Sequence, residues 1–210
     1  TFEDDTTVEG FNTVLWTGNN ASSRSVGGVG FQPDFVWIKR RDTAKDHGLF
    51  DSVRGGTQKI ESNTTAVEIS GDNGKIDSFN ADGFTVATGT SDNSGVNGSS
   101  NELVAWCWKA GGAPTADNSA GAGNTPTANS VKIDGANLGS ALAGTIPATR
   151  LSANTTRGFS IVTYTGTGSA GTIAHGLSAA PTMIIVKKRT NDTQAWQVYH
   201  SGNTANPETD

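Results

Sequence analysis

The chain matches itself once Gly10 is laid on Gly158, and this internal repeat limits its fold more than any other feature. Gly10-Phe11-Asn12-Thr13-Val14-Leu15-Trp16-Thr17-Gly18 aligns without gaps on Gly158-Phe159-Ser160-Ile161-Val162-Thr163-Tyr164-Thr165-Gly166. The same offset sets Gly28 on Gly176, Pro33 on Pro181, Lys39 on Lys187 and Arg41 on Arg189. Trp16/Tyr164, Phe35/Met183, Val36/Ile184 and Ile38/Val186 keep their bulk and apolar character. A loop length shared between shared flanking segments points to two copies of one module. The boundaries that follow are an N-terminal extension over 1–9, a first module over 10–110, a Gly/Ala/Thr-rich linker or arm over 111–157 and a partial second copy over 158–210. Half a β module exposes unpaired edges, so continuing chain or another subunit is expected to complete the second copy.

The repeated unit is built from strand and turn material. Gly, Thr, Ser and Asn dominate, and these residues are poor helix formers that suit strands and tight turns. The continuous β-prone run at 34–39 predicts a strand covered on both faces, and 103–109 reads the same way. Residues 83–87 alternate as a half-buried strand should, and shorter strand candidates lie at 11–16, 49–53, 66–69 and 76–79. Asn73-Gly74, Asp82-Gly83 and Asn97-Gly98 supply turn chemistry. The expected fold is all-β: an antiparallel β-sandwich module of jelly-roll or lectin-like type, in tandem with a second partial copy. Beyond the Gly/Ala/Pro/Thr stretch, Val131, Ile133, Leu138, Leu142, Ile146 and Leu151 suggest a small arm or hairpin packing on a neighbour.

Several functional classes are disfavoured. A net charge of -5 repels phosphate backbones, so no nucleic-acid partner is expected despite Lys39-Arg40-Arg41. No apolar run approaches the roughly 18 residues that span a bilayer, so no membrane insertion is expected. The lone Cys107 excludes an intrachain disulfide and reads as a buried thiol. His47, His175 and His200 have no metal-ligand spacing. His47 lies near Asp46, Asp51 and Arg54, where a salt-bridge cluster is a better reading than a general base. Glu61, Glu68 and Glu102 form no pair with the context of a glycosidase, and the stretch from Asp72 to Asp77 lacks the closing Glu of a calcium loop. The chain is therefore expected not to be an enzyme and to need no metal and no cofactor.

The aromatics carry more information. Trp16, Trp37, Trp106, Trp108 and Trp196 are many for so polar a chain, and Trp106 and Trp108 share one face of a strand. Core volume accounts for them most simply. Exposed indoles also stack on sugar faces, which makes Trp16, Trp106 and Trp108 the candidate glycan-binding residues. Their exposure separates the two readings.

Phe31-Gln32-Pro33-Asp34-Phe35-Val36-Trp37-Ile38-Lys39-Arg40-Arg41, His47-Gly48-Leu49-Phe50-Asp51-Ser52-Val53-Arg54-Gly55 and Val104-Ala105-Trp106-Cys107-Trp108-Lys109-Ala110-Gly111-Gly112 carry a family resemblance. The chain resembles a repeated, uncharacterised β domain of phage virion proteins, especially of marine and cyanobacterial phages, often described as tail-fibre or lectin-like. Ala180-Pro181-Thr182-Met183-Ile184-Ile185-Val186-Lys187 and Trp196-Gln197-Val198-Tyr199-His200 look like the next repeat of such proteins. The resemblance implies a virion location and a tail-fibre or surface-appendage role in attachment to host-surface glycans. It implies as partners other virion proteins and further copies of the chain, a trimer being what fibres commonly form. It transfers no catalytic residue. The alternatives are a purely structural capsid decoration or head fibre, and a polysaccharide-degrading enzyme.

Overall fold

A computed structural model describes residues 10–203; the expected N-terminal extension over 1–9 lies outside the described residues. Among the described residues every regular element is a β-strand. The first module holds β1 (Phe11–Thr17), β2 (Ser23–Val26), β3 (Phe35–Arg40), β4 (Gly48–Asp51), β5 (Gln58–Glu61), β6 (Ile69–Ser70), β7 (Lys75–Asn80), β8 (Gly83–Ala87) and β9 (Glu102–Trp108). They form two antiparallel sheets, one in the order β1-β9-β3-β4-β5-β6 and one in the order β2-β8-β7.

The strand period of two decides what each sheet buries. Val14 and Trp16 of β1, Val36 and Ile38 of β3, Phe50 of β4, and Leu103, Ala105 and Cys107 of β9 meet Val26, Ile76, Phe84 and Val86 of the three-stranded sheet in one core. The result is a sandwich. Each fully buried side chain such as Phe50 or Phe84 contributes about 1.5–3 kcal/mol of transfer free energy. Gly83 opens β8 at φ +145°, where a Cβ would lie 2.1 Å from the Val26 carbonyl oxygen, so a glycine is required.

The stretch at 34–39 was expected to be covered on both faces. Its inner residues Val36 and Ile38 are buried, whereas Phe35 and Trp37 on the other face are only half-buried. The 66–69 candidate contributes only the two-residue β6. β2 and β5 carry no hydrophobic pattern that announces them, and Lys59 of β5 is buried through ion pairs to Glu61 and Asp72.

A buried carboxylate fixes one end of the sandwich. Asp34 accepts hydrogen bonds from Ser52 Oγ at 2.7 Å, from the Ala110 amide at 2.8 Å and from the Gly112 amide at 3.2 Å. It thereby ties the start of β3 to the end of β4 and to the exit of β9. Burial raises the Asp34 pKa, and the donors from Ser52, Ala110 and Gly112 together with the Lys109 charge only partly oppose it.

The Gly/Ala/Thr-rich span over 111–157 carries β10 (Val131–Ile133), β11 (Ala136–Asn137) and β12 (Ala148–Asn154). With β13 (Phe159–Tyr164) they form a sheet in the order β11-β10-β12-β13, in which β10 and β12 run parallel. Val131, Leu142 and Leu151, part of the sparse apolar set of the expected arm, form its small core with Ala148 and Ala153. Gly111 makes the junction with the first module possible, since a Cβ there would lie 2.4 Å from the Ala153 carbonyl oxygen and 2.5 Å from that of Lys132. Its amide donates to Ser152 Oγ, which donates in turn to the Gly112 carbonyl.

β13 is the counterpart of β1. The hairpin of β14 (Met183–Val186) and β15 (Gln197–His200) is the counterpart of β3 and β4. Its connecting loop docks on the first module: Arg189 makes a two-point ion pair with Glu68, Lys187 Nζ donates to the Thr65 carbonyl and Trp196 Nε1 to that of Glu61.

Truncating Asp34 leaves two amides without an acceptor, so Asp34→Ala is expected to lower unfolding free energy by about 2–4 kcal/mol in urea denaturation. Asp34→Asn keeps an accepting oxygen and is expected to recover most of that loss. Because the folded pKa is raised, the cost of ionising Asp34 is fully present above that pKa and fades as pH falls towards 3.8. The Asn variant should lose this pH-dependent contribution.

Candidate functional site

The face of the six-stranded sheet turned away from the core is aromatic. On β9 the inner residues are Leu103, Ala105 and Cys107, which leaves Trp106 and Trp108 on the outside. On β3 the inner Val36 and Ile38 leave Phe35 and Trp37 outside. Antiparallel pairing then sets Trp106 opposite Trp37 and Thr13, and Trp108 opposite Phe35 and Phe11. Trp37 and Trp106 meet edge to face at 5.8 Å; Trp108 lies 4.8 Å from Phe11 and 5.5 Å from Phe35. Such offset and tilted contacts suit the ring quadrupoles.

Trp37, Trp106 and Trp108, all half-buried, line an open cavity of about 210 Å³. Trp37 Nε1 donates to His47 Nδ1 at 3.1 Å. Burial lowers the His47 pKa, Lys39 lowers it further, and Asp46 opposes both. These shifts favour the neutral imidazole, and a neutral ring that accepts at Nδ1 carries its proton on Nε2.

One side of this face is walled by the second copy. Phe159, the first residue of β13, stacks on Trp108 with centroids 6.0 Å apart and 20° between planes, and meets Phe35 edge to face at 5.9 Å. Trp108 is thus flanked by three phenyl rings, and its remaining surface lines the cavity with Trp106 and Trp37.

Trp106 and Trp108 come together as their spacing suggests, but Trp16 does not join them. Its side chain is buried in the core, with Nε1 donating to the Val96 carbonyl at 3.0 Å and its ring edge on Phe84, so it presents no surface to a ligand. Trp37 joins the face through the β3–β9 pairing, which no local pattern encodes. Trp196 serves the docking of the second hairpin.

His47, Asp51 and Arg54 do not form one cluster. Asp51 and Arg54 make a buried ion pair at 2.6 Å, extended by Arg54 to Glu68 at 2.9 Å, while His47 belongs to Trp37. Burial by itself would raise the Glu68 carboxyl, but Arg189 and Arg54 outweigh it and hold the group ionised. Glu61 pairs with Lys59, and Glu102 sits 3.8 Å from Arg41 at an exposed edge. Burial pushes the Cys107 thiol up to about 12, which leaves it an inert core residue. Among the described residues no group of three or more His, Cys, Asp or Glu is placed to hold a metal ion. A second open cavity of about 410 Å³, lined by Leu142, Ile173, His175 and Leu177, lies where the arm meets the loop after β13.

Set against known protein families, residues 6–132 and again 132–209 match a domain of unknown function, DUF7483. The chain belongs to the DUF7483 family. The first DUF7483 segment contains β1 to β9 and with them the whole tryptophan cluster; the second contains β12 to β15 and supplies Phe159. The division at 132 falls inside β10, so the tandem arrangement runs through the arm. No curated protein and no solved structure matches the chain.

Packing and openness make different demands on the two outer indoles. Trp108→Ala is expected to cost about 3–4 kcal/mol in urea denaturation, because three rings lose their partner. Trp106→Ala, which takes a ring contact from Trp37, is expected to cost less than half of that. Equal losses would place both residues in the same packed environment.

Proposed function

We propose that this chain is a structural component of a phage virion, a segment of a tail fibre or surface appendage that presents DUF7483 sandwich modules to glycans on a host surface. The observation that carries the reading is the open cavity lined by Trp37, Trp106 and Trp108, with His47 hydrogen-bonded to Trp37. Indole faces take the C–H faces of a pyranose, and a neutral imidazole N–H suits a sugar hydroxyl. The cavity of about 210 Å³ has room for little more than one sugar ring. Single contacts of this kind are weak, on the order of millimolar, and repeated modules on an oligomeric fibre raise the effective concentration. The resemblance of the repeat motifs to phage virion domains supports the location.

A second reading, a capsid decoration or head-fibre role without recognition, draws support from Trp108. Its contacts with Phe11, Phe35 and Phe159 make it part of the joint between copies.

Tryptophan fluorescence titration with purified bacterial lipopolysaccharide and capsular polysaccharides tests the choice. A glycan-binding role predicts a saturable change that Trp106→Ala or Trp37→Ala weakens by at least about tenfold. Absence of binding across the panel, or binding indifferent to both substitutions, contradicts it.

A further inference from the structure

The β14–β15 hairpin repeats β3–β4 in sequence and pairing but not in its surroundings. In the first module Val36 and Ile38 are buried, Phe35 and Trp37 are half-buried, and β3 lies between β4 and β9. Their counterparts Ile184 and Val186 are 43% and 36% exposed, while Met183 and Ile185 are 51% and 53% exposed. β14 pairs with β15 along one edge, and among the described residues no strand pairs with the other. Four consecutive large apolar residues open on both faces beside a free edge are an acceptor for a strand.

The hairpin is nonetheless held in place. Arg189 grips Glu68 at two points, the Glu68 amide donates to the Arg189 carbonyl, and Trp196 is hydrogen-bonded to Glu61. A fixed, prepared edge loses little conformational freedom on pairing.

We propose that the free edge of β14 is a strand-acceptor site that takes, antiparallel, a strand of the β9 pattern from a further copy of this repeat. The repeat itself names the occupant. β3 receives β9 in the register Val36 to Cys107 and Ile38 to Ala105, so Ile184 and Val186 present the matching positions. β9 of the first module is not itself available, because it lies between β1 and β3 and its Leu103, Ala105 and Cys107 are fully buried. The donor is therefore a repeat whose corresponding strand is still unpaired. This site is separate from the tryptophan face, and either can fail without the other.

The test titrates the isotopically labelled full chain with a synthetic peptide of the β9 sequence Glu102–Trp108, carrying Cys107→Ser and flanking lysines for solubility. The expected result is a 1:1 complex at peptide concentrations up to the order of millimolar, with amide shifts and slowed exchange at Met183, Ile184, Ile185 and Val186. The double variant Ile184→Lys, Ile185→Lys changes only exposed side chains, so its β1 to β9 amide signals should be unchanged while peptide affinity falls at least about tenfold. No shift on β14, equal binding by the double variant or by a scrambled peptide, or a concentration-dependent dimer joined through β14 of two copies would overturn the proposal.

Discussion

The carboxylate of Asp34 is the constraint on which the positions of the other parts depend. It lies under the first sheet where β3 begins, β4 ends and β9 leaves, and it accepts a hydrogen bond from a donor on each of the two neighbouring segments. A buried charge is tolerated only with donors around it, and here two of those donors are main-chain amides whose direction fixes the chain beyond β9. Without that direction Gly111 would not meet Ser152, and the arm would have no defined path to its own sheet.

From this point the two copies are joined. The arm brings β12 to β13, and β13 brings Phe159 to Trp108 and Phe35. The second contact, between Arg189 and Glu68, closes the far side and also neutralises a carboxylate shared with Arg54. Arg41 occupies the equivalent place in the first copy and lies 3.8 Å from the exposed Glu102. The second copy is thus built against the first. The tryptophan face stays open because the second copy covers only its Trp108 end.

Much of this was legible in the sequence. The β class, the β3, β8 and β9 runs and the repeat all follow from residue periodicity and from the paired Gly, Pro, Lys and Arg positions. β2 and β5 were not legible, since Ser23-Arg24-Ser25-Val26 and Gln58-Lys59-Ile60-Glu61 become strands through their partners. Trp106 and Trp108 could be placed together by strand period alone. Trp37 and Phe159 could not, because one depends on which strand lies beside β9 and the other on a contact between copies. Trp16 shows the opposite case: its type suited a ligand surface, and only the facing sheet, through Phe84 and Val96, reveals it as core. The 111–157 span has a linker's composition, yet Val131, Leu142 and Leu151, with Ile133 and Leu138 packed against them, are enough for a small sheet that leans on a larger one.

Native-state amide hydrogen exchange tests most directly whether one body is built around Asp34. If the arm is an integral layer, the Ala110, Gly111 and Gly112 amides and those of β12 exchange as slowly as the amides of β9, and all of them open together as denaturant is raised. Rapid exchange across 111–157 beside a protected β9 would contradict the account and make the arm a tether between independent parts.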